Sequence, residues 1–184
     1  MQALADNENG ALHHACDPFQ STYAKNAGLR NVEAAGLSGL LRFQEAFPEV
    51  VFPDLPRLQF AFIDASHLFD LSMLDFVLVD KKLDIGGVVA FHDLWMPSLR
   101  KVIRFLLANR GYEIICATTQ TAAGGGVRSL AKHFMSRFLR VLPRANDIFC
   151  PELLEPWEEF GIGNLALLRK TSDDSRDWRH FQRF

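Results

Sequence analysis

No stretch of this chain approaches the ~20 consecutive apolar residues needed to span a bilayer. Its first ten residues carry Asp6 and Glu8 where a signal peptide would have an apolar segment. Cysteine is scarce. Cys16, Cys116 and Cys150 are odd in number and form no Cys-x-x-Cys pair, which argues against a disulfide framework and fits reduced thiols. Charge of one sign is missing too: the net charge of −2 gives no reason to expect a nucleic acid or a membrane surface as partner. Internal repeats and low-complexity tracts are absent. The expectation is a soluble, cytoplasmic protein that meets small molecules. Tyrosine is rare (2) while phenylalanine is abundant (16), a balance that favours a well-packed apolar core.

The 184 residues suffice for one domain burying roughly 70% of the surface its unfolded chain would expose. Along the chain, short apolar runs alternate with helix-length segments. Strands are expected over Ala11–Asp17, Gly39–Phe43, Phe60–Asp64, Val88–Asp93, Tyr112–Thr118 and Asn164–Arg169. Helix-forming composition covers Ser21–Ala35, with Gly28 and Gly36 as stops, and a short helix is expected near Pro53–Leu58. Leu68–Leu83 reads as an amphipathic helix whose inner face is Leu71, Leu74, Leu78 and Val79. Ile85-Gly86-Gly87 should turn the chain into its next strand. Pro97 suits the first turn of a helix with apolar face Leu99, Val102, Ile103, Leu106 and Leu107, and Gly111 should stop it in a left-handed conformation. The glycine run Gly124–Gly126 precedes a basic amphipathic segment, Val127–Arg144, and Trp157 follows it. The residues from Thr171 onward are polar and expected to fray. This alternation predicts an α/β domain with a doubly wound, mostly parallel sheet and helices on both faces.

Three of the apolar runs end in aspartate: Asp17, Asp64 and Asp93. His67 lies three residues beyond Asp64, and His92 immediately precedes Asp93. In an open parallel sheet, ligands sit beyond the carboxyl ends of the strands, so these groups should share one edge. Two neighbouring carboxylates repel unless a proton or cation lies between them. An imidazole with an ordinary pKa near 6.5 can remove a hydroxyl proton at neutral pH. Each residue also has a simpler use: Asp17 as a turn former before Pro18, Asp93 as a helix cap, and His67 as a loop histidine capping the next helix.

Phe-Ile-Asp-x-x-His, a helix, Leu-x-x-Gly-Gly-Val-Val-x-Phe-His-Asp and a proline-started helix together resemble class I S-adenosylmethionine-dependent methyltransferases. The closest resemblance is to the small-molecule O-methyltransferase type, some of which use a divalent metal. Asp17-Pro18-Phe19-Gln20 is similar to the turn after that group's second strand. The resemblance implies a Rossmann-like fold, with one methyltransferase-like domain over 1–170 and a polar tail over 171–184. It places Asp17, Asp64 and Ala65 against S-adenosylmethionine, with Asp17 on the ribose hydroxyls. Asp64, His92 and Asp93 would bind Mg²⁺ or another divalent metal, and His67 would be the catalytic base. The partner implied is a small-molecule substrate methylated on a hydroxyl oxygen, and a homo-oligomer is compatible with it.

One element of that family is not found. Its first strand, glycine-rich turn and helix should precede Asp17, where only Gly10 is available. An N-terminally truncated fold lacking the first strand and glycine loop is therefore expected. Such a chain would be prone to aggregation or partial unfolding, since a missing central strand leaves edges unpaired. Two other functions stay open: a non-catalytic methyltransferase-like remnant, or a metal-dependent oxygenase or hydrolase using His67, His92 and Asp93.

Overall fold

In a computed structural model, which describes residues 1–64, 66–117, 164–180 and 182–184, the chain divides into two units, Met1–Pro56 and Arg57–Phe184. The Gly124–Gly126 run, the basic segment Val127–Arg144, Cys150 and Trp157 lie outside the described residues.

In the first unit, helix α1 (Gln2–Asn7) is followed by strand β1 (His13–Cys16), which ends at Asp17-Pro18 as proline requires. Helix α2 (Ala27–Ala34) is shorter than its composition suggested. Lys25 and Asn26 both take positive φ, which prevents an earlier start, and Gly28 sits in the first turn instead of ending the helix. Gly36, at φ 70°, does terminate it. Strand β2 (Leu41–Gln44) pairs in parallel with β1, Ala15 opposite Phe43. The short helix α3 (Pro48–Val51) begins at Pro48, several residues before the expected place, because that proline presets the first helical turn; a 3₁₀ turn follows over Phe52–Asp54.

The second unit holds a four-stranded sheet in the order β3-β4-β6-β5. Strand β3 (Leu58–Ile63) runs parallel to β4 (Leu83–His92), and β6 (Leu165–Lys170) runs antiparallel to both β4 and β5 (Tyr112–Ala117). Strand β4 starts directly after helix α4 (Phe69–Lys82), so the glycine pair falls inside the strand and not before it. The register jumps there: Leu83 faces Leu58 but Val88 faces Phe60, and Gly86 takes φ 86° to absorb the extra residues. Helix α5 (Pro97–Asn109) buries Leu99, Val102, Ile103 and Leu106 as its spacing predicts. In each unit, parallel strands linked through helices give the α/β, Rossmann-like architecture expected from the sequence. Among the described residues no helix is long and apolar enough to cross a membrane.

Helix α4 buries Val79 and half-buries Leu78 as expected, but its buried face is rotated away from Leu71 and Leu74. Ser72, Phe76, Val79 and Asp80 point inward, while Leu71 and Leu74 are 42% and 40% exposed. Phe76 stacks against Phe91 and edge-on to Tyr112, with ring centroids 6.4 and 5.3 Å apart. On the opposite sheet face, Phe60 and Phe62 remain more than half exposed.

Gly111 and the tail also depart from expectation. The helix ends in an extended Arg110, and Gly111 is not among the positive-φ glycines. Its lack of a side chain serves close approach: a Cβ there would lie 2.1 Å from Ser172 Oγ, and its carbonyl accepts from Thr171 N at 2.7 Å. The tail is thereby docked on α5. Asp174 bonds Arg110 (2.8 Å) and Arg176 (2.7 Å), the Arg176 guanidinium lies over the Phe105 ring, and Phe184 meets Phe105 edge-on.

These contacts make the docking acid-sensitive. A hydrogen bond from Arg176, with Arg110 nearby, holds the Asp174 carboxyl down to about 2, and Lys170 holds Asp173 below the usual range. A carboxyl depressed in the folded state stabilises fully above its unfolded value and loses that contribution as pH falls through the folded one. The tail should therefore loosen between about pH 4 and pH 2. Protection of the Thr171 amide against hydrogen exchange, relative to its intrinsic rate, should fall in that window, and constant protection would contradict it.

Candidate functional site

Three strands of the second unit deliver side chains to one edge of its sheet. Parallel β3 and β4 end there, so Asp64 follows Ile63 and Asp93 follows His92. Antiparallel β6 begins there, with Leu165 opposite His92, which sets Asn164 beside the two aspartates. The loop after β3 adds His67. Its carbonyl accepts from Ser98 Oγ at 2.6 Å, tying the loop to the first turn of α5.

Two of these residues carry unusual backbones. His67 has φ 60° and Asp93 φ 55°, in the left-handed region. That conformation costs a side chain of order 1–3 kcal/mol, although Asp and His tolerate it better than most.

The His67 ring nitrogen Nε2 lies 3.1 Å from Asp93 Oδ2 and 3.6 Å from Asp64 Oδ1. It is buried, yet it is in hydrogen-bonding geometry with neither. One ligand atom each from Asp64, His67 and Asp93 falls within 4.8 Å of the others. A buried nitrogen and two carboxylates gathered this way fit a divalent cation, since carboxylate oxygens suit Mg²⁺ and the imidazole admits a transition metal.

His92 stands beside the group with both nitrogens engaged: Nδ1 is 3.2 Å from Asp64 Oδ1, and Nε2 is 2.9 Å from the Asn164 amide nitrogen. Asp93 Oδ1 accepts from the Trp95 indole (3.0 Å) and from the Asn164 amide (3.3 Å). The Trp95 bond above all, with the Asn164 amide and the two imidazoles, keeps the Asp93 carboxyl below its usual range. That carboxylate is ionised at neutral pH.

A family model described as a methyltransferase domain matches residues 1–94, just over half of the 184. The chain belongs to that family. No curated protein matches it.

The match ends one residue after Asp93, so this methyltransferase domain carries Asp17, Asp64, His67, His92 and Asp93 inside the matched region and Asn164 outside it. Methyl transfer is the class of chemistry that membership supports, and the family implies S-adenosylmethionine as donor. The structure brings Asp64, His67, His92 and Asp93 together. Asp17 follows β1 in the first unit, where Oδ1 accepts from Phe19 N at 2.8 Å, an Asx turn that shapes the chain after the strand. Gln20, with its amide turned to satisfy both ends, donates to Asp17 Oδ2 at 2.9 Å and accepts from Gly28 N at 3.3 Å. Each carboxylate oxygen accepts more than one bond, so these contacts leave capacity for a ligand. Ala65 lies outside the described residues. Asn164 and Ser98 are site residues that sequence reasoning missed; Trp95, which its place just beyond Asp93 marks as a candidate for lining a pocket, instead holds Asp93 Oδ1. The one signal for Asn164 is its place before the Leu165–Leu168 run, because an antiparallel strand starts where its parallel neighbours end.

Proposed function

We propose that this chain transfers the methyl group of S-adenosylmethionine to a hydroxyl oxygen of a small molecule, with help from a divalent cation. The observation that carries the reading is the convergence of Asp64, His67 and Asp93 at the carboxyl ends of β3 and β4 in a methyltransferase domain. Asp17 would accept from the cofactor ribose, each such charge-assisted bond contributing about 1.5–3 kcal/mol. Ala65 and Asp64 would border the cofactor at the end of β3.

Asp64 and Asp93 would hold the cation. Its contribution when bound is to orient the acceptor oxygen and stabilise its negative charge. His67 is the proton acceptor: its Nε2 has no hydrogen-bond partner among the described residues and lies at the edge where Asp64 and Asp93 converge. S-adenosylmethionine, held by Asp17, Asp64 and Ala65, would supply a methyl group on a sulfonium that leaves as a neutral thioether, its C–S bond breaking as the oxygen deprotonated by His67 forms the C–O bond. The oxygenase alternative, which needs two imidazoles and one carboxylate as ligands, gains less support because both His92 nitrogens already have partners.

Calorimetric titration of S-adenosylmethionine into the purified chain, with and without Mg²⁺ or Mn²⁺, tests the reading. The expected result is a Kd near micromolar, about −8 kcal/mol, tightened by the metal and followed by transfer of labelled methyl to phenolic or aliphatic hydroxyls. A folded chain that binds neither cofactor nor metal would favour the non-catalytic alternative.

A further inference from the structure

His92 and Asn164 meet across 72 positions of sequence, and their contact decides which nitrogen of His92 carries the proton. The amide nitrogen of Asn164 lies 3.3 Å from Asp93 Oδ1. An ionised carboxylate only accepts, so the amide must present its NH₂ group there; turned around, two oxygens would face each other. The same NH₂ group lies 2.9 Å from His92 Nε2 and uses its second hydrogen on it. Nε2 is therefore the acceptor nitrogen. Nδ1 then carries the hydrogen and donates it to Asp64 Oδ1 at 3.2 Å.

We infer that Asn164 is a positioning residue that fixes Nε2 of His92 as the acceptor and its hydrogen on Nδ1, so that His92 orients the Asp64 carboxylate and is not itself a ligand. The inference rests on the proposed use of Asp64 for its functional meaning, but the tautomer itself is independent of any activity. The arrangement is a relay of three strands: β6 supplies Asn164, β4 supplies His92, and the end of β3 supplies Asp64. Its logic is that of the hydrogen-bonded partners behind metal ligands, which fix orientation and whose removal commonly weakens metal affinity 10–100-fold. Asn164 acts on both carboxylates at once. It reaches Asp64 through His92, and with Trp95 it saturates Asp93 Oδ1, leaving Asp93 Oδ2 turned toward His67. The Asn164 side-chain oxygen is buried without a partner among the described residues, which shows that the amide's orientation is set by what its nitrogen contacts.

The test reads imidazole nitrogens directly by long-range ¹H–¹⁵N NMR on the metal-free 184-residue chain at about pH 8, above the ordinary imidazole pKa. The His92 signals are assigned by their loss in His92→Gln. Expected for the wild type is a pyrrole-type shift at Nδ1 and a pyridine-type shift at Nε2. In Asn164→Asp, where the carboxylate accepts from Nε2, the hydrogen should move to Nε2 and the pattern should reverse. Asn164→Leu, which leaves Nε2 with no donor, should give a mixture of tautomers. The backbone amide spectrum of each variant reports its fold, and the wild-type measurement stands alone if either variant does not fold. A wild-type His92 with its hydrogen on Nε2, or an unchanged pattern in folded Asn164→Asp, would overturn the assignment. Neither result bears on whether the chain binds S-adenosylmethionine. Conversely, a failed cofactor titration leaves the tautomer result intact.

Discussion

Replacing Asp80 with alanine should destabilise the second unit by about 3–5 kcal/mol, the cost of leaving buried charges without their partner. Asp80 sits at the end of α4, only 6% exposed, and every contact it makes is to a group as hidden as itself. Tyr112 donates its hydroxyl to Oδ1 at 2.7 Å, Lys170 lies 3.3 Å from the same oxygen, and Arg110 pairs with Oδ2. The Lys170 ammonium is 2% exposed and also donates to the carbonyls of Asp80 (2.8 Å) and Leu83 (3.2 Å). Burial and the Asp80 carboxylate push the Tyr112 phenol well above its ordinary pKa, so it remains a donor at every accessible pH. Without Asp80, two cations and a phenol stay in place with, among the described residues, only Asp173 and Asp174 of the tail to answer them, and Asp173 is 71% exposed. Exposed pairs contribute at most about 1 kcal/mol, so Asp173→Ala should shift the denaturation midpoint far less. Equal losses in the two variants, measured by urea unfolding, would refute the claim that Asp80 is the centre of the network.

That network also marks where the sequence stopped being readable. Strands β3, β4 and β6 were legible because short apolar runs bounded by glycine or charged residues have few other uses. Helix α4 was legible as a helix, but not by its face. It is apolar on both sides, and what selects the inner one is Tyr112, Arg110 and Lys170 waiting for Asp80, three partners distant in sequence. A buried Asp and Ser beside exposed Leu71 and Leu74 inverts the usual rule, and spacing alone cannot signal it. The tail misled for a related reason: Asp174, Arg176 and Phe184 look like solvated ends until Arg110 and Phe105 are known to face them. At the site, Asp64, His67, His92 and Asp93 were legible because parallel strands place their carboxyl ends together. Asn164 was not, since the first residue of an expected strand shows no link to the site until the strand is seen to run the other way.

His67→Asn should lower methyl transfer by about 10²–10⁴-fold, the range for removing a positioned proton acceptor, while leaving the fold and cofactor affinity near wild type. Asparagine is the informative replacement because residue 67 holds φ 60°, a backbone that Asn tolerates and Ala resists. The substitution thus removes the base without straining the loop that Ser98 ties down through the carbonyl of residue 67. Two uses of the imidazole then make different predictions. If His67 takes the proton, the defect should shrink for acceptors acidic enough to be ionised already, and should shrink further as pH rises, because the missing step is one that solution can perform. If His67 instead binds the cation together with Asp64 and Asp93, the defect should be the same for every acceptor and should be offset by excess metal. The burial of Nε2 beside two carboxylates is compatible with either use in geometry alone. The left-handed turn, which holds that nitrogen 3.1 Å from Asp93 but out of hydrogen-bonding alignment, favours the base: a ring already donating well to Asp93 would have its proton in place and nothing to accept. Rates measured across a series of phenols of graded acidity, in wild type and His67→Asn, therefore decide the role, and a loss independent of acceptor acidity would assign His67 to the metal.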